Sequence, residues 1–403
     1  MASDAAGLPR AVRFDEIEGL RAWLAFAVVG WHVVQYTGLN ARFALLASSG
    51  GVAHLAVELF IIVSGFVVTH LLAMRREPYS GYLVRRAFRL FPLYLALVLP
   101  GIATTALGAQ AVMAVPWADD PGFAYRDTLV ATYQSQQDAF PVHLLLHLLL
   151  FQGIVPDSVL PYSSAVMLGP AWSLSLEWQF YLIAPVVIGW LADRRRAAIM
   201  VALLLGAVVV EQVGLLGDYR LMSVFSAAAH LFLAGIASRL LFERAVRIRF
   251  SPVAAALVGV ALAAAVPALA AIGLWVAFYA FLAGRGAVER TTAVDRAAAR
   301  IWSAMFGSAA ARWVGARSYG IYLAHWPVLQ VTLFLLRDTI SADTALAALT
   351  LAAIVVPASL ALAAILHIAL ERPMIRLGAQ IAGRRARQGM VPATAGRDAG
   401  KAG

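Results

Sequence analysis

The chain has 403 residues, no cysteine and a formal net charge of +10, and it is 62% hydrophobic but only 13% charged. With a mean hydropathy of +0.78, that composition excludes an ordinary soluble domain, in which about a quarter of residues are charged, and specifies a polytopic membrane protein. The missing cysteines exclude disulfides, thiolate metal sites and a Cys nucleophile, and the only lysine, Lys401, excludes Schiff-base chemistry within the bundle.

Residues 1–13 form a short polar arm, expected on the cytoplasmic side. Apolar spans follow at 20–39, 52–73, 88–108, 172–192, 197–216, 221–242, 252–267, 268–284, 316–336 and 344–370. Each is long enough, or nearly so, to cross a hydrocarbon core as a helix. The expected fold is therefore all-α, a membrane bundle of about ten transmembrane helices. The first span is long and lacks a small-residue cleavage site, so it is expected to remain as a signal anchor. The stretch 252–284 is too long for one span, and Pro267 marks a turn between two short ones. His143–Phe151, HLLLHLLLF, is too short to cross and is expected to be re-entrant or interfacial. Residues 14–376 form the membrane domain, and 377–403 read as a basic, disordered cytoplasmic tail.

Arginine placement sets the orientation. With the amino terminus cytoplasmic, only Arg42, Arg126, Arg220 and Arg337 fall outside, and the rest of the 32 basic residues fall on the cytoplasmic side. Both termini are then cytoplasmic. The basic residues lie between apolar spans rather than on a soluble patch, so they argue against nucleic acid and for the lipid bilayer as a partner.

Within the first span, Arg21 and His32 lie eleven positions apart. At 3.6 residues per turn they share one helix face within about 20° and sit roughly 16 Å apart along the axis. Ionisable residues inside a membrane are expensive and usually mark a pathway or a site. Counted from the outer ends of their spans, His32, Glu58 and Glu177 reach one level, about 8–10 Å below the outer surface at 1.5 Å per residue. Unpaired carboxylates there would be costly, so an imidazole–carboxylate pairing is expected, with either carboxylate as partner. Ser64, six residues from Glu58, points to another face and reads as a packing position. Ser173, Glu177 and Tyr181 form one polar stripe; Ser318, Tyr322 and His325 form another. Near the cytoplasmic edge, Arg85, Arg86 and Arg89 open the third span beside Arg21. Guanidinium groups bind phosphate oxygens bidentately, so the cluster is a candidate phosphate site. No metal site and no tightly bound cofactor are expected. A ligand with a polyanionic head and a long arm, such as an acyl-CoA, suits this layout.

The segments EGLR with Arg21 and His32, VELFIIVSGF, LVRRAFRLFPLYL, WSLSLEWQFYL, SYGIYLAHWPVL and LERPMIRL occur in this order over residues 14–376. Together they resemble the acyltransferase 3 family of integral membrane O-acyltransferases. The resemblance implies transfer of an acyl group, usually acetyl, from cytoplasmic acyl-CoA to a hydroxyl of a surface glycan, glycolipid or small-molecule acceptor. By the same resemblance His32 matches the essential histidine, Arg21 and the Arg86–Arg89 pair match the arginines that handle CoA, and Glu177 matches the family's acidic residue. The residues themselves extend this to Glu177 or Glu58 orienting His32 as general base, to Arg85 beside the other arginines, and to His325, Tyr322 and Tyr181 at the substrate. Glu18 and Glu58 stand where the family usually has Asp, and Glu177-Trp178-Gln179 where it commonly has Glu-Glu-Gln. A transporter or flippase of an acylated glycan, using the same bundle without chemistry, is the rival expectation.

Overall fold

A computed structural model describes residues 14–42, 51–74, 77–284 and 292–388, and among them the regular structure is entirely helical. The helices are α1 (Asp15–Tyr36), α2 (Gly51–Met74), α3 (Tyr79–Ala114), α4 (Tyr125–Asp138), α5 (Phe140–Leu148), α6 (Trp172–Ala192), α7 (Ala197–Gln212) and α8 (Phe225–Leu240). They continue as α9 (Pro252–Ala265), α10 (Ala270–Gly284), α11 (Ala293–Gly307), α12 (Ala309–Gly315), α13 (Ser318–Leu336), α14 (Thr344–Leu366) and α15 (Arg372–Gln388). Seven are long and apolar enough to span a membrane, and α7, α8 and α9 are shorter apolar helices. The bundle is a multi-pass membrane fold. Leu203, Val209, Leu257 and Val258 on the outer helices are more than half exposed, as a lipid-facing surface requires.

The expected turn at Pro267 is a short 3₁₀ segment, Pro267–Leu269, that separates α9 from α10. Segment 143–151 resolves as α5, nine residues and so about 13 Å long, too short to cross. Its histidines, His143 and His147, are fully buried while Val142, Leu145 and Leu148 are exposed, so it turns polar groups inward and apolar groups outward.

Two boundaries differ from expectation. Helix α3 has 36 residues, well beyond the apolar stretch 88–108, because backbone hydrogen bonding continues past the window that hydropathy detects. The tail expected to begin at 377 is helical through Gln388, and residues 389–403 lie outside the described ones, as does the arm 1–13.

The interior is organised around α1, α2, α3, α6 and α13. Helix α2 packs along α8 at a close crossing where Gly65 and Gly235 face each other's backbones. A methyl added at Gly65 would stand 2.6 Å from the Phe232 carbonyl, so only a small residue permits this approach beside Ser64. Helices α1 and α3 both pack on α13, and α15 runs back along α3.

Candidate functional site

Between these inner helices lies a cleft of about 890 Å³, measured to its open mouth. Arg21, Arg86, Arg89 and Ser318 line the end where α1, α3 and α13 begin. Ser64, Ser173, Glu177, Tyr181 and Tyr322 line the middle, and Val57, Phe60, Ile61 and Val67 of α2 supply an apolar wall. An apolar cleft with a few convergent polar groups is the usual form of a small-molecule or cofactor site.

The four arginines are held differently. Arg86 and Arg89, three residues apart, share a helix face and both enter the cleft. Arg85 does not: one residue turns the side chain by about 100°, and its Nε donates to Glu77 at 2.6 Å instead. Arg86 stacks over Tyr82 and Tyr181 with centroid distances of 5.9 and 5.5 Å, and its buried Nε has no hydrogen-bond partner. Arg21 lies 3.7 Å from Glu18. Arg89 Nη1 donates to Glu371 at 2.6 Å.

In the middle, Glu177 Oε1 accepts hydrogen bonds from Ser64 Oγ at 3.1 Å and from the Tyr181 hydroxyl. This places Ser64 in the cleft rather than in a packing role. Its direction away from Glu58 is the reason: Glu58 faces His54, with 3.5 Å between His54 Nε2 and the carboxylate, and does not line the cleft. The two polar stripes meet across the cleft. The Tyr322 hydroxyl and Ser173 Oγ are hydrogen-bonded at 2.8 Å, and both lie within reach of the Pro170 carbonyl, at 2.8 and 3.2 Å.

His32 stands one layer behind this wall. Its ring stacks on His325, with centroids 5.3 Å apart and planes 21° apart, and meets the edge of Trp326 at 5.1 Å. His325 is in turn 6.3 Å from Tyr322. His325 Nδ1 lies 3.2 Å from the Ile321 carbonyl, which can only accept, so Nδ1 carries the proton and Nε2 is bare. That Nε2 is buried without a partner, and so is Nδ1 of His32. Among the described residues no carboxylate lies within ion-pair distance of His32, so the expected pairing with Glu58 or Glu177 is absent.

The shared depth fails for a physical reason. Counting from Trp172 assumes that α6 starts at the membrane surface, yet Leu168, Ala171 and Trp172, where segment 149–171 runs into α6, are buried within the protein. Contact with Ser64 puts Glu177 six residues, about 9 Å, further along α2 than Glu58. Glu371, in the closing LERPMIRL segment, is the residue that motif reading quoted without giving it a task.

Comparison with known proteins fits this geometry. The acyltransferase 3 domain, described as an acyltransferase domain, matches residues 14–368. Among characterised proteins the chain is similar to "Acyltransferase MdmB" of Streptomyces mycarofaciens, 29% identical over 182 residues, which is 44% of this chain and 40% of that relative's length. No solved structure matches. With the family match running from the start of α1 to the turn after α14, the chain belongs to the acyltransferase 3 family.

Proposed function

We propose that the chain moves an acyl group, acetyl in the simplest case, from acyl-CoA to a hydroxyl of a glycan, glycolipid or small-molecule acceptor. The observation that carries this reading is the order of polar groups along the cleft and behind it. Arginines gather at one end of the cleft, and imidazoles with buried, unpartnered nitrogens lie one layer behind its wall. A donor with phosphates at its head and a thioester at its tip has that sequence of needs.

In this reading the phosphates sit on Arg21, Arg86 and Arg89, and the pantetheine arm runs along Val57, Phe60 and Ile61. The arginine end then faces the cytoplasm of a bacterial inner membrane, with both termini on that side. The thioester reaches the Tyr322–His325–His32 layer. An unprotonated ring nitrogen of His32 takes the acceptor's hydroxyl proton as the oxygen attacks the thioester carbonyl. The tetrahedral intermediate collapses, the carbon–sulfur bond breaks, and the imidazolium returns the proton to the departing thiolate, releasing CoA. The ring plane of His32 is set by His325 and Trp326 rather than by a carboxylate. Glu177 instead holds Ser64 and Tyr181 on the cleft wall, and through Tyr181 it supports Arg86.

The test is release of free CoA thiol from acetyl-CoA by purified protein given a surface-glycan extract. Acceptor-dependent release that disappears in His32→Ala, with donor KM raised in Arg21→Ala, is the expected result. Undiminished release in His32→Ala would overturn the general-base role.

A further inference from the structure

We propose that Glu371, which lies outside the cleft, is a positioning residue for the donor's phosphates and acts by fixing the guanidinium of Arg89 at the cleft mouth. The proposal rests on the reading that the cleft arginines bind those phosphates.

Glu371 is 2% exposed, and both of its oxygens are engaged. Oε1 accepts from Arg89 Nη1 at 2.6 Å, and Oε2 is 2.8 Å from Nδ1 of His367, one turn earlier. The two residues bound a π-helical turn, His367–Glu371, inserted between α14 and α15. Such turns are rare and concentrate at functional sites. On its other side the Arg89 guanidinium lies 5.8 Å over the ring of Tyr319, whose hydroxyl donates to the Leu90 carbonyl at 2.7 Å. The guanidinium plane is therefore fixed from two directions, while Arg86 has no ion-pair partner among the described residues and an orphaned Nε.

Charge alone would argue against such a pair at an anion site, because Glu371 cancels the charge that Arg89 brings. What the carboxylate supplies is direction. Arginine recognises phosphate as a planar fork, and a fork held in advance loses less side-chain entropy on binding. A purely structural ion pair would be an inefficient alternative, since buried ion pairs add little net stability over apolar packing. The arrangement also ties the donor site to α15, which runs along α3 with Gly378 beside Phe88 and Ala382 beside Gly81.

The experiment measures equilibrium binding of CoA to the purified full chain by calorimetry, together with donor KM and kcat. The variants are Arg86→Ala, Arg89→Ala, Glu371→Gln, Glu371→Ala and the Arg89→Ala/Glu371→Ala double. Loss of a residue that orients a binding side chain typically costs about tenfold or more in affinity. Glu371→Ala is expected to weaken CoA by about that factor, with kcat at saturating donor preserved and the double variant no weaker than Arg89→Ala alone. Glu371→Gln keeps one acceptor oxygen and should fall between; it carries the test if the alanine variant does not fold. Unchanged CoA affinity in both arginine variants would overturn the phosphate reading itself. Weakened binding in Arg89→Ala with normal binding in the Glu371 variants would overturn only the positioning role. Additive losses in the double variant would do the same, because they would show that Glu371 acts independently of Arg89.

Discussion

Two polar regions of this bundle are built in opposite ways. At the junction of α9 and α11, Asp295 is 1% exposed and completely satisfied. Its carboxylate accepts from Ser251 Oγ at 2.6 Å, the Val253 amide at 3.1 Å, and the amide and hydroxyl of Thr292 at 3.2 and 2.8 Å. Those donors, Ser251 foremost, hold the carboxyl below the usual aspartate range. Around the cleft the reverse holds: Arg86 Nε, Ser318 Oγ, His32 Nδ1 and His325 Nε2 are all buried without partners. Buried polar groups that serve the fold are satisfied within it, and leaving one unmet costs about 1–3 kcal/mol. Other buried atoms, Trp302 Nε1 and Ser359 Oγ among them, are also unpartnered; the four here are set apart by gathering on and directly behind one cleft wall.

If that contrast is right, substitutions should divide into those that abolish chemistry and those that only weaken the fold. The largest effect is expected at His32. His32→Ala should lower kcat by about 10²–10⁴, the range for a lost general base, while the melting temperature barely moves; thiol-release kinetics beside calorimetry measure both. Arg86→Ala comes next, raising donor KM by about tenfold or more with kcat largely kept, and Arg86→Lys should restore little because the fork geometry is lost. Ser64→Ala removes one of the two hydroxyls on Glu177 and should cost about 0.5–1.5 kcal/mol of stability, with a modest rise in donor KM read from the same assay. The smallest effect on turnover belongs to the closed region. Asp295→Asn should lower the melting temperature and leave kcat/KM unchanged. In the wild type the Asp295 contribution is present in full above the ordinary aspartate range, because its folded-state pKa is depressed. It is lost as pH falls through that depressed value, so the stability gap between wild type and Asp295→Asn should close on acidification. A gap that stays constant down to pH 2 would show that the carboxylate charge contributes nothing.

The sequence made the open region partly legible. Hydropathy and arginine placement located the helices, since each crossing must satisfy its own backbone and present apolar side chains to lipid. Helical periodicity grouped Arg85 with Arg86 and Arg89, and Ser173 with Glu177 and Tyr181; all but Arg85 line the cleft. It also contained the warning against Arg85, which one residue's rotation removes from that face. What periodicity could not supply was depth. Nothing local in residues 149–171 announces that they fold into the interior and start α6 below the surface, so Glu177 appeared level with Glu58. Ser64 was set aside for pointing away from Glu58, although Glu58 proved to be the residue outside the cleft. The Arg89–Glu371 pair spans 282 positions, and no spacing rule connects such residues.

The central claim is that the cleft receives the donor, and the absence of cysteine makes this directly testable. In Ser64→Cys the new thiol would be the only one in the chain, and its alkylation rate by a small maleimide can be followed with and without CoA. The account predicts that saturating CoA slows labelling of Ser64→Cys by about tenfold or more, as a ligand that fills the cleft should. A control cysteine at Ser251, which does not line the cleft, should be labelled at the same rate in both conditions. Equal labelling of Ser64→Cys with and without bound CoA would contradict the account, because the donor would then lie elsewhere.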